Sequence, residues 1–261
     1  PELLKCVLVS ETWKVLAENV LIKRWKGKTF EACKSGETKI VQLLLERCNA
    51  EESGLNIFVL IKRWKGKMSE ACKKGETKIV QLLLERCDAE ESGLNTKGDY
   101  GRNVFMEACY YGHKDVVKLF LEHSERIDLN ARNNLGETAF MEACFYGHKD
   151  VVKLFLDHSE KIDLNARYKN GETALMKACI SGHKDVVKLC LDHSEIIELN
   201  ARDEHGRTAF MEACFYGLKD VVKLLLEHSE RIDLNAIDDD GRTAFMIACL
   251  YERKDVVKLL L

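Results

Sequence analysis

Residues 142–158, EACFYGHKDVVKLFLDH, bring Glu142, Cys144, His148, Asp150, Asp157 and His158 within seventeen positions. Thiol, imidazole and carboxylate are the groups that hold zinc or carry acid–base and nucleophilic chemistry. Two tests separate a site from a scaffold. Zinc needs three or four ligands converging within about 2.3 Å of one ion, typically from Cys–Cys or His–His pairs two to five residues apart, and the stretch holds no such pair. The stretch also returns as EACYYGHKD, KACISGHKD, EACFYGLKD and IACLYERKD, where Glu142 becomes Lys177 and Ile247 while His148 becomes Leu218. Equivalent groups in neighbouring copies would be separated by a helix-packing distance of about 8–10 Å, too far to share an ion or to form a disulfide. There is no Gly-rich phosphate loop after a strand, no nucleophile elbow, and no Ser, His and acid set that stands apart from the repetition. The sequence therefore predicts no metal site, no cofactor and no catalytic residue.

The elements that carry these groups repeat with a fixed period, and that period decides the fold. Gly101, Gly136, Gly171, Gly206 and Gly241 recur every 35 residues, as do Gly112, Gly147, Gly182 and Gly217, followed in register by Glu252. Within one period, Thr138 can cap a short helix through Phe145, its hydroxyl accepting from a first-turn amide. Gly147 then breaks the helix by taking a left-handed conformation. A second helix follows, with Asp150 in its first turn and an apolar face of Val151, Val152, Leu154, Phe155 and Leu156. His158 and Ser159 end it, and IDLNARYKNGE crosses to the next period. Such a helix pair cannot bury its own apolar face, so neighbours must stack and the array is the folding unit.

Upstream, Val20–Phe58 and Val59–Lys97 are two copies of a 39-residue segment that differ at six positions. The boundaries read from these periods are a capping helix over 1–19 and repeats over 20–58, 59–97, 98–132, 133–167, 168–202, 203–237 and 238–261, the last shorter. In the first nineteen residues and just beyond, Trp13, Leu16, Ala17, Val20, Leu21 and Arg24 follow helical spacing behind Ser10 and Glu11, as expected of a helix covering the open end of an array.

Composition agrees with a folded protein that stays inside the cell. Hydrophobic residues make up 46% and charged residues 32% of 261, too apolar for disorder. No apolar run approaches the roughly 20 residues of a membrane span, and PELLKCVLVS lacks the basic start and cleavage site of a signal peptide. Residence in the cytoplasm or nucleus, without membrane attachment, is expected. Seven of the eleven cysteines, Cys33, Cys72, Cys109, Cys144, Cys179, Cys214 and Cys249, follow an alanine shortly before a glycine or its replacement Glu252. Reduced core thiols are the simplest reading of that placement. Net charge is −3, divided between 18 basic and 14 acidic residues over 1–97 and 22 basic and 29 acidic residues over 98–261.

The pattern GETAFMEACFYGHKDVVKLFLDHSEKIDLNA closely resembles the ankyrin repeat: glycine, threonine, a short alanine-containing helix, Gly-His, a Val-Val helix and an Asp-x-Asn-Ala turn. The resemblance covers 98–261 strongly and 28–56 and 67–95 more loosely. It implies an all-α, ankyrin-type solenoid of stacked helix-turn-helix repeats with projecting turns. The family's Thr-Pro-Leu-His is Thr-Ala-Phe-Met or Thr-Ala-Leu-Met here, and Pro1 is the only proline, so helix starts lack the preset dihedral of a first-turn proline. The period exceeds the family's by about two residues, placed at Ser159–Ile162 and its equivalents. Asn130, Asn165, Asn200 and Asn235 occupy turn positions that resemble those modified by asparagine hydroxylases. The simpler role for each is a side-chain bond within its own turn.

In ankyrin arrays the first helices and turn tips line a concave face, and the two residues before the glycine point outward there. In this chain those pairs are Tyr110–Tyr111, Phe145–Tyr146, Ile180–Ser181, Phe215–Tyr216 and Leu250–Tyr251. A row of exposed aromatics is a recognition surface in the making; the competing role is packing on the neighbouring helix to sustain the stack. The expected anchors for a protein partner are Tyr110, Tyr111, Phe145, Tyr146, Phe215, Tyr216 and Tyr251, with Arg102, Glu137, Glu172, Arg207 and Arg242 at the turn tips setting charge preference. KRWKGK, at 23–28 and 62–67, offers Lys23, Arg24, Lys26, Lys62, Arg63 and Lys65 to an anionic ligand. The acidic total argues against nucleic acid. Two readings compete with a protein-binding monomer: a module that self-associates, weakly or as an assembly, through its apolar ends VVKLLL and IFVLIKRW, and an anion binder using the KRWKGK copies.

Overall fold

A computed structural model describes residues 67–86 and 93–261. Among them are twelve α-helices in six pairs and no strand. The pairs are α1 (Lys67–Lys74) with α2 (Thr77–Arg86), α3 (Val104–Tyr110) with α4 (Lys114–Glu122), and α5 (Ala139–Phe145) with α6 (Lys149–Asp157). Then come α7 (Ala174–Ser181) with α8 (Lys184–Asp192), α9 (Ala209–Tyr216) with α10 (Lys219–Leu226), and α11 (Ala244–Leu250) with α12 (Lys254–Leu260). Each first helix packs on the first helices of its neighbours, and each second helix on second helices. The result is an all-α solenoid. The expected capping helix over 1–19, the repeat over 20–58, and Lys23, Arg24, Lys26, Lys62, Arg63 and Lys65 lie outside the described residues.

Short helices need good ends, and the first helices have them. Thr138, Thr173, Thr208 and Thr243 accept from the amides of Met141, Met176, Met211 and Met246, and Asn103 does the same for Met106. The missing proline is therefore replaced by a side-chain cap followed by alanine, the strongest helix former. At the junction between the helices Gly147 sits at φ +75°, and a Cβ there would come within 2.5 Å of His183 Nδ1. Conformation and space both demand glycine.

The core runs through the stack. On α1, α3, α5, α7 and α9 an alanine and a cysteine are buried in the stack, as in Ala143 and Cys144, and their small volume lets backbones approach. On α4, α6, α8 and α10 two valines and at least one leucine fill the space between layers, joined by Phe120 on α4 and Phe155 on α6. Phe105 packs edge-on against Phe120 of its own pair at 6.1 Å and against Phe155 of the next at 5.7 Å, and Phe140 meets Phe155 at 5.7 Å. Edge-to-face rings at these separations add to the burial itself.

The reduced-thiol expectation holds for Cys72, Cys109, Cys144, Cys179 and Cys214, all free and buried. Cys33 lies outside the described residues. Cys249 departs from it: it is exposed, because no further helix pair covers α11 in the structure. A tight turn follows α4, α6, α8 and α10, closed for example by Arg126 N to His123 O at 3.1 Å and by Lys161 N to His158 O at 3.0 Å. Basic residues in these turns reach back one pair, with Lys161 Nζ donating to Leu121 O at 3.3 Å and Arg126 donating to Leu84 O.

Candidate functional site

Glu142, Cys144, His148 and Asp150 do not converge. His148 Nε2 lies 2.8 Å from Tyr110 O of the preceding pair, and His113 and His183 make the same contact with Lys73 O and Phe145 O at 2.9 Å. Where the histidine is lost the link is lost at Leu218, and Arg253 restores it by donating Nε to Phe215 O at 2.7 Å. Each histidine is also the residue before its second helix, but it makes no side-chain cap bond. The imidazole is a clamp between pairs. Among the described residues, no group of three His, Cys, Asp or Glu side chains could hold a metal.

The turn asparagines clamp too. Asn130 accepts from Asp163 N at 2.8 Å and donates to Lys161 O at 3.1 Å, and Asn165 and Asn200 repeat this with the next loop. The expectation that each bonds within its own turn is corrected: the side chain spans to the following pair. Asn235 has no following loop in the structure, and its exposed side chain makes no such bridge.

The residues before the glycine form an aromatic row. Tyr111, Phe145, Tyr146, Tyr216 and Tyr251 are exposed, between 36% and 46%. Tyr110 and Phe215 are half-buried, because each ring meets the outer tyrosine of the next pair: Tyr110 to Tyr146 at 4.5 Å and Phe215 to Tyr251 at 4.3 Å. Both roles raised by the sequence are present, since the inner rings sustain the stack while the outer rings face solvent. Ile180 and Ser181 interrupt the row at its centre.

Beneath the row lies a chain of ion pairs that the sequence reading missed. Arg102, Glu137, Glu172, Arg207 and Arg242 follow the turn glycines rather than occupying the tips, and their charges are engaged inside the array. Arg102 Nε donates to Glu142 Oε1 at 2.6 Å, and both side chains are largely buried. Lys177 pairs with Glu172 at 2.7 Å and with Glu137 at 3.7 Å, Arg207 with Glu212 at 2.9 Å and Asp203 at 3.2 Å, and Arg242 with Asp238 at 2.8 Å. The same cations touch the rings above, Arg102 lying 4.0 Å from the Tyr110 centroid and Lys177 5.8 Å from that of Phe145. Burial pushes the Glu142 and Glu212 carboxyls up to about 7, outweighing their arginine partners. The signal was present in sequence: the helix position carries Glu beside arginine turns at 102 and 207, and Lys177 beside glutamate turns at 137 and 172.

The ankyrin repeat family model matches three stretches of the chain, residues 68–168, 160–238 and 200–261. The chain belongs to the ankyrin repeat family. Its helix pairs are ankyrin repeats, and the loops between them are the ankyrin fingers. Ankyrin repeats commonly mediate protein–protein interaction, and proteins built from them are typically non-catalytic scaffolds. No curated protein matches the chain. Among the described residues, no helix of this ankyrin array is long and apolar enough to cross a membrane.

Proposed function

We propose that this ankyrin array is a non-catalytic scaffold that recognises a partner protein through its concave face, formed by the first helices and the fingers. The observation that carries the reading is the exposed aromatic row held on a pre-stacked base. Tyr111, Phe145, Tyr146, Tyr216 and Tyr251 offer large contact area with few rotors to freeze, and the histidine and asparagine clamps already fix the backbone beneath them. Docking on such a surface loses little ordering entropy. The turn residues Arg102, Glu137, Glu172, Arg207 and Arg242 act mainly by holding this surface. In this reading the array comprises seven repeats from residue 20 onward, works inside the cell, and binds as a monomer.

The test is affinity capture from a cytosolic lysate with the parent chain and with a Phe145→Ser, Tyr146→Ser, Phe215→Ser, Tyr216→Ser variant whose fold is verified by circular dichroism. Proteins held by the parent and lost from the variant support the reading. Equal capture by both removes the aromatic row from recognition.

A further inference from the structure

The fingers carry a second row, one residue before each finger glycine: Tyr100, Leu135, Asn170, His205 and Asp240. Tyr100 is 70% and Leu135 49% exposed. The row begins apolar and ends acidic; of the residues one step earlier, Glu204 and Asp239 are exposed on the last two fingers, while Asp99 on the first is paired with Lys73 at 2.9 Å. Neither Glu204 nor Asp239 forms an ion pair among the described residues. Of the cations nearby, Arg207 is paired with Asp203 and Glu212 and Arg242 with Asp238 and Asp240, while Arg202 donates to Ile237 O. Upstream, Lys169 folds back to donate to Asn134 O at 2.9 Å.

The first finger is also built differently. At the position where Asn133, Asp203 and Asp238 each accept from two amides of their own turn, it has Gly98. Tyr168 leaves the third finger without that lock as well, but only on the first does the residue before the glycine turn left-handed: Tyr100 sits at φ +57°, unfavourable for a residue with a side chain. Its ring and that of Tyr110 flank the Arg102 guanidinium, at 5.3 and 4.0 Å from the centroids. Finger row and helix row are therefore one surface at the apolar end. Strain held at an exposed aromatic is the kind retained at binding sites.

We infer that this surface takes one extended polypeptide segment with segregated chemistry: apolar side chains on the Tyr100 and Leu135 fingers, and lysine or arginine on the Glu204 and Asp239 fingers. The inference rests on the proposed recognition role of the concave face and names the partner that face fits. Five fingers at helix-packing intervals of about 10 Å span about 40 Å, which an extended chain rising about 3.3 Å per residue covers in about 12 residues. A helix rising about 1.5 Å per residue would need about 27. The acidic end supplies charge complementarity and steering, and the apolar end supplies buried contact.

The experiment selects binders to the full 261-residue chain from a displayed library of random peptides of about 16 residues. The affinity of the most enriched peptide is then measured by fluorescence anisotropy. The inference expects enriched sequences with a basic cluster separated by several residues from an apolar cluster. It also expects binding to weaken at least about tenfold in Glu204→Lys/Asp239→Lys and in Tyr100→Ser/Leu135→Ser, with a steep loss as salt rises. Glu122→Lys, on an outer helix, should leave affinity unchanged. Enrichment without a basic cluster, binding indifferent to salt or to the Glu204 and Asp239 reversals, or no enrichment overturns it. Binders that lack segregation but are lost in Tyr146→Ser/Tyr216→Ser refute this inference alone. Binders indifferent to both sets of variants refute the recognition face itself.

Discussion

Arg102 of one repeat donates its Nε to Glu142 of the next, 2.6 Å away and forty residues on in the chain, in a site where the carboxylate is almost completely buried. The second Glu142 oxygen has no hydrogen-bond partner. A carboxylate satisfied on one side only is costly to keep charged, and burial outweighs the arginine in pushing its pKa from 4.5 to about 7. Glu212 behaves alike, with burial again the leading cause.

Stability should accordingly fall as the solution is made more alkaline through neutrality. Both carboxyls bind their proton more tightly folded than unfolded. The stability this contributes is full below the ordinary value of 4.5 and is lost as pH rises through about 7. Each group is worth on the order of 3 kcal/mol over that window. Urea denaturation of wild type and Glu142→Gln between about pH 5 and about pH 8 checks it. The glutamine keeps an acceptor for Arg102 and Asn133, so the variant should lose less stability across the range. Equal slopes would mean that Glu142 is ionised throughout.

The asparagine clamps predict a positional effect. Asn165 donates to Ile196 O and accepts from Glu198 N, both at 2.9 Å. Asn165→Ala should cost about 1–3 kcal/mol for the two bonds, whereas Asn235→Ala, with no following loop to bridge, should cost only a few tenths. Denaturant midpoints for the two variants measure the difference, and similar costs would show that the bridges contribute nothing.

Much of this scaffold was legible in the sequence because each local signal agreed with the period. Thr138 before Ala139, Gly147 at the break and the valines of the second helix fixed the element order, and the structure places all three as their chemistry requires. What was not legible is what crosses from one repeat to the next. Nothing local in Asn130 distinguishes a bond to its own turn from one to a loop some thirty residues away. The fingers were misread for the same reason: Arg102 looks like a solvated turn cation until the next repeat brings Glu142 beneath it. The charge swap at Lys177, matched by Glu137 and Glu172, was the one sequence clue to that burial.

Glu252 offers a gain of stability. It holds φ +54°, where Gly112, Gly147, Gly182 and Gly217 occupy the equivalent positions. Glu252→Gly should relieve the left-handed strain and stabilise the last repeat by roughly 0.5–1 kcal/mol, after the greater unfolded-state freedom of glycine is subtracted. Amide exchange in residues 244–260 should slow in the variant; faster exchange would contradict the strain argument.

The thiols should divide sharply. Burial pushes the Cys214 thiol up to about 12 and Cys144 and Cys179 well above the usual range, while Cys249 is exposed. Thiolate is the reactive form. Iodoacetamide treatment of the native chain followed by peptide mass mapping should label Cys249 and spare Cys109, Cys144, Cys179 and Cys214, all of which react after unfolding. Labelling of Cys144 in the native state would mean that the stack opens readily.

The recognition role of the first-helix face is tested most directly by placing a photo-crosslinking amino acid at Tyr146, on that face, and separately at Lys153, exposed on an outer helix. Each folded variant is irradiated in a cytosolic lysate and the adducts are identified. The account predicts a discrete protein adduct from position 146 that position 153 does not give and that excess unlabelled parent chain suppresses. Adducts equal at both positions, or found only at 153, would contradict it.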